Sequence, residues 1–175
     1  MTDYLDWVIP HLEAGIIPNQ VDILFWSFKH ACIASASALS IPDEWVADVS
    51  TYISQSATPP DDSQKVVAGS RRTPTYYSGG LVLSLNSGAA AITLDDCVFV
   101  GSDWNPNTYI HEMVHVGQYG ALGVSGFLAA YFGSAAFDIL TKWARGEPTD
   151  AMQASYLETE AYDLAARYSA WSSIG

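Results

Sequence analysis

The stretch His111-Glu112-Met113-Val114-His115 decides how this chain is read. Two imidazoles four residues apart lie on one face of a helix, with a carboxylate beside the first of them. That geometry brings two ring nitrogens to a single zinc ion and leaves Glu112 next to a water on the metal. Glu112 lies too far round the helix to be a good ligand together with both histidines, so its expected role is general base. Catalytic zinc needs three protein ligands and an open position. His111 and His115 supply two of them, and Met113 and Val114 are free to face a core.

The motif carries its own helix start. Asn105 is a natural cap and Pro106 suits the first helical position, so the turns leading into His111 are expected to be helical. No third histidine follows at the spacing of a His-rich extension, and a carboxylate has to complete the triad. Tyr156-Leu157-Glu158-Thr159-Glu160-Ala161-Tyr162 offers two. Glu158 and Glu160 diverge by roughly 200 degrees on a helix, so only one can meet the ion. The other is expected in solvent or against a basic group such as Arg167. Spacing alone does not choose between them.

The rest of the chain frames this motif. Gln20 to Ser40 reads as a helix closed by Pro42, with Ile23, Leu24, Ser27, Phe28, Ala31 and Ala34 at three-and-four spacing. A second helix is expected from about Asp43 to Tyr52. Residues 54–75, with Pro59, Pro60 and Arg71-Arg72, read as a loop. Leu81–Leu85 and Ala91–Leu94 read as strands joined through Asn86-Ser87-Gly88, and Cys97–Val100 as a third. A last helix is expected from Thr149 or Asp150.

Composition narrows the function classes. The chain has 175 residues, 49% of them hydrophobic, enough for one domain with its own core. Nineteen acids against 7 bases give a net charge of -12, which repels phosphate backbones and argues against nucleic acid as a partner. Cys32 and Cys97 are too few for a disulfide scaffold and are expected as buried free thiols. The acidic start lacks the basic segment and apolar core of a signal peptide, which favours the cytoplasm, although a removed leader would leave the same pattern. From Val116 to Phe137 no residue is charged. Five glycines and several hydroxyls dilute this run, so it reads as a core helix or a broken helix pair. Stable membrane insertion is not expected, while apposition to a membrane surface stays open.

The zinc helix continues as His111 to His115 followed by Val116-Gly117-Gln118-Tyr119, and Glu158-Thr159-Glu160-Ala161 follows downstream. On these residues the chain, from about Ala91 to Ala166, resembles the Glu-zincin (gluzincin) metallopeptidases, and among them small bacterial domains with a glutamine after the zinc motif. The resemblance implies an α+β fold, mainly helical, with a small antiparallel sheet beside the zinc helix. It implies a zinc-dependent hydrolase acting on a peptide or protein substrate, with Glu112 as catalytic base. It selects Glu158 as third metal ligand, matching the Glu-x-x-Ala pattern of that family. Tyr162 stands where the family carries an aspartate that orients the first histidine, and Asp163 is one residue out of phase. That departure supports an alternative, a catalytically degenerate domain acting in protein interaction or structure.

Other residues have plainer readings. His30 lies among Phe25, Trp26 and Phe28 and reads as structural. Tyr119, Phe127 and Tyr131 read as core aromatics. Tyr156 and Tyr162 are candidate donors to a developing oxyanion, and Arg71 and Arg72 read as loop salt-bridge residues rather than a carboxylate site.

Overall fold

The computed structural model describes residues 20–55, 73–86, 88–146 and 155–173. Along the chain these form helix α1 (Gln20–Ala34), strand β1 (Ala36–Leu39), helix α2 (Asp43–Gln55), strand β2 (Thr75–Gly79), a short helix α3 (Leu81–Leu85), strands β3 (Ala91–Leu94) and β4 (Cys97–Val100), the long helix α4 (Pro106–Arg145) and helix α5 (Tyr156–Ser172). The architecture is mainly helical with one small four-stranded sheet, an α+β arrangement.

The sheet runs β1-β2-β4-β3 and is mixed rather than purely antiparallel. β1–β2 and β3–β4 are antiparallel, but β2 and β4 run parallel, Tyr77 opposite Phe99. β4 is central and wholly buried, as an unbroken Cys-Val-Phe-Val run requires. Val98 and Val100 pack with Val116 of α4, and Phe99 stacks on Tyr77. β3 is left at the edge, next to α4.

Three expectations need correction here. The first helix ends at Ala34, because Ser35 turns its hydroxyl onto the Ala31 and Cys32 carbonyls and accepts the Leu81 N–H at 2.8 Å. Residues 36–39 then gain ladder bonds to β2. Leu81–Leu85 is helix, not strand. A short apolar run fits either state, and Gly80 decides it: at φ 102 it reverses the chain where a Cβ would meet the Cys32 carbonyl at 3.1 Å. The hairpin therefore lies one element later, β3 to β4, turning through Asp95 (φ 62) and Asp96. β2 starts at Thr75, the last residue of the stretch read as a loop, and covers Tyr76–Gly79, where the sequence reading placed no element. Residues 56–72 of that loop, Arg71 and Arg72 among them, fall outside the described residues.

Lys29, 3% exposed on α1, fastens the hairpin. Its ammonium donates to Asp95 at 3.1 Å and to Asp96, and lies over the Trp26 ring at 5.1 Å. The charge holds the Asp96 carboxyl below its usual range despite partial burial. Cys32 and Cys97 are free and buried, and burial pushes the Cys97 thiol up to about 12.

α4 starts as its sequence dictates. Asn105 Oδ1 accepts the backbone N–H of Asn107 at 3.0 Å and of Thr108 at 3.2 Å, with Pro106 at the first position. The helix breaks at Gly123 (φ 68, ψ 172). Before the break it is deeply buried, with Ile110 and Val114 against α5 and α2. After it, Tyr119 and Phe127 stack across the bend at 3.7 Å, while Phe132, Phe137 and Leu140 stay exposed. By length and composition alone Pro106–Lys142 would be long enough to cross a bilayer. α5 begins at Tyr156, where extended Ser155 caps it by accepting the Leu157 N–H at 3.2 Å; the expected start at Thr149 or Asp150 lies outside the described residues.

Candidate metal centre

His111, His115 and Gln118 form an i, i+4, i+7 stripe on the first limb of α4, and that stripe faces the opening turn of α5. Glu158, in that turn, meets both histidines. Its Oε2 lies 3.3 Å from His111 Nε2 and its Oε1 3.5 Å from His115 Nε2, and the two Nε2 atoms are 3.1 Å apart. Zinc bonds of 2.0–2.2 Å at tetrahedral angles separate neighbouring ligand atoms by about 3.3 Å. The two glutamate distances run to different oxygens; with one ligand atom taken from each residue, the three atoms lie within 4.8 Å of one another, close enough together that the cluster could hold a metal ion.

The electrostatics suit a cation. Burial opposes charge on Glu158, yet hydrogen bonds and charge from His111 and His115 outweigh it and hold the carboxyl well below the usual range. Burial likewise opposes charge on His115, but Glu158 and Glu112 raise its pKa.

Glu112, about a quarter turn round the helix from His111, reaches toward β3. Its Oε2 accepts the Thr93 hydroxyl of edge strand β3 at 2.6 Å, and the residue is 3% exposed. The motif therefore sits between β3 and α5, Glu112 held by Thr93 of the one and the histidines met by Glu158 of the other.

Aromatic rings close the surroundings. Tyr131, read from sequence as core, does stack on Phe127, but its hydroxyl also donates to Glu158 Oε1 at 2.9 Å. Its hydroxyl reaches the site only because the Gly123 break swings the second limb back, which no local pattern announces. Phe127 meets the edge of the His115 ring at 6.0 Å. Tyr162 packs its ring on His111 with centroids 4.5 Å apart, and Asp163 is exposed. Tyr156 is 54% exposed. His30 stacks on Trp26 and is not in the cluster.

Glu160, expected in solvent or against a basic group, instead has its Oε2 accepting the Gln118 amide at 2.7 Å. Gln118 Nε2 also donates to the Leu157 carbonyl at 3.1 Å, while its Oε1 lies 2.8 Å from His115 Nδ1. A cavity of about 330 Å³ beside Gly80, Ser84, Ala90 and Gly101 contains none of these groups. No known family model, curated protein or solved structure matches the chain.

Proposed function

We propose that the chain is a zinc-dependent hydrolase of peptide bonds with a zincin-like site. The observation that carries this reading is the convergence of His111, His115 and Glu158, whose ligand atoms lie within 4.8 Å of one another, with Glu112, next to His111 on α4, held by Thr93 of β3. When bound, zinc supplies a Lewis acid that acidifies a water and polarises an acyl carbonyl. Glu112 takes the proton of the attacking water and returns it to the leaving amine. The Thr93 hydroxyl holds one oxygen of Glu112 and fixes the rotation of its carboxylate. Tyr131 orients Glu158, and Phe127 and Tyr162 exclude water from the histidines. The acidic surface and the lack of a basic array argue against nucleic acid as substrate.

Burial favours a second reading, a metal clasp joining α4 to α5 without turnover. The side chains of His111, His115 and Glu158 are only 7–14% exposed. Glu112→Gln separates the two. A hydrolase loses roughly 10²-fold or more in turnover on a peptide library while its zinc affinity holds. A zinc-loaded variant that turns over like wild type refutes the role of Glu112, and a zinc-loaded wild type that cleaves nothing favours the clasp.

A further inference from the structure

Gln118 is 2% exposed, yet both ends of its amide are engaged. On one side lie the Leu157 carbonyl at 3.1 Å and a Glu160 carboxylate oxygen at 2.7 Å. Neither carries a hydrogen when Glu160 is ionised, so the group facing them has to be the NH₂ end. The Oε1 end then faces His115 Nδ1 at 2.8 Å. A carbonyl oxygen only accepts, so Nδ1 has to carry a hydrogen. In the neutral ring the lone pair is thereby left on Nε2, the atom that faces His111 and Glu158. Rotating the amide by half a turn would oppose its oxygen to two acceptors in a buried place, at a cost no nearby group offsets.

We infer that Gln118 is a positioning residue that, anchored by Glu160 and the Leu157 carbonyl, locks His115 in the Nδ1–H tautomer and presents Nε2 to a metal. The metal arm of this inference rests on the reading proposed above; the tautomer arm does not. Gln118 sits one helical turn beyond His115, so the ligand and its support share one rigid element. Its anchors belong to the turn of α5 that carries Glu158. One side chain therefore couples the formation of the second ligand to the docking of the third. Second-sphere partners of this kind set ring orientation and typically contribute 10–100-fold in metal affinity.

The test has two arms. Long-range ¹⁵N NMR on metal-free protein, at alkaline pH where the imidazole is neutral, should place the His115 proton on Nδ1 in wild type and shift it toward Nε2 in Gln118→Leu. Zinc titration against a chromogenic chelator should show affinity lowered by roughly 10–100-fold in that variant. Glu160→Leu, on a half-exposed position that leaves the helix core untouched, should weaken zinc by roughly three- to tenfold through the loss of one anchor. It keeps the question decidable if Gln118→Leu does not fold. A wild-type ring protonated on Nε2 overturns the inference, as does zinc affinity within twofold of wild type in folded Gln118→Leu, or in Glu160→Leu if only that variant folds. Wild-type protein with the Nδ1–H tautomer that takes up no zinc supports the lock and overturns only the metal reading.

Discussion

Replacing Thr93 by valine tests the contact that ties the edge strand to Glu112. The substitution keeps shape, β-branching and the ladder position opposite Val98, and removes only the hydroxyl. Thr93 is 8% exposed and Glu112 is 3% exposed, so water does not readily replace the lost donor. At 2.6 Å the O–H···O bond has the length of a charge-assisted pair. A hydrogen bond to a charged group contributes about 1.5–3 kcal/mol, against about 0.5–1.5 kcal/mol for a neutral one. Thr93→Val should therefore cost about 1.5–3 kcal/mol when Glu112 is present. In the Glu112→Gln background, where the amide oxygen still accepts the hydroxyl, it should cost about 0.5–1.5 kcal/mol. The four proteins form a double-mutant cycle with a coupling of about 1 kcal/mol. Urea unfolding at neutral pH with a chelator measures it without any assumption about metal or substrate. A cost below about 0.5 kcal/mol, or equal costs in the two backgrounds, would refute the charged contact on which the placement of Glu112 depends.

Two further outcomes are expected. Glu158→Gln should lower zinc affinity by more than roughly 10²-fold, beyond what a supporting residue contributes, whereas Glu160→Gln keeps an acceptor for Gln118 and should stay within roughly threefold; both need measurement at one pH because ligand protonation competes with the metal, and the opposite ranking would move the ligand to Glu160. Cys97, with its thiol pushed up to about 12, and the fully buried Cys32 should resist iodoacetamide in the native protein at mildly alkaline pH and react once it is unfolded; rapid native labelling of either would contradict the packing of β4 against α1.

The helix that carries His111 and His115 was legible because its signals are local. Asn105 and Pro106 start it, and the histidine pair at four-residue spacing shares a face whatever surrounds the helix. β4 was legible for the same reason, as a short apolar run. β2 was not, since Thr75–Gly79 earns its strand state only from partners on both sides. Leu81–Leu85 misled because its apolar run fits strand and helix alike, and the decision lay with the backbone of Gly80.

The candidate site divides along the same line. Sequence by itself determined that two imidazoles share a helical face with Glu112 beside them, and that Glu158 and Glu160 point apart, because both statements follow from the pitch of one helix. Which glutamate meets the histidines depends on how α5 is docked and rotated against α4, and that is set by packing across residues distant in the chain. Tertiary structure alone aims Glu158 at the two Nε2 atoms and Glu160 at Gln118, brings Thr93 to Glu112, and returns the Tyr131 hydroxyl across the Gly123 break. Hydrogen bonds formed between elements leave no period in the sequence, so the ligand pair was readable and its supporting partners were not.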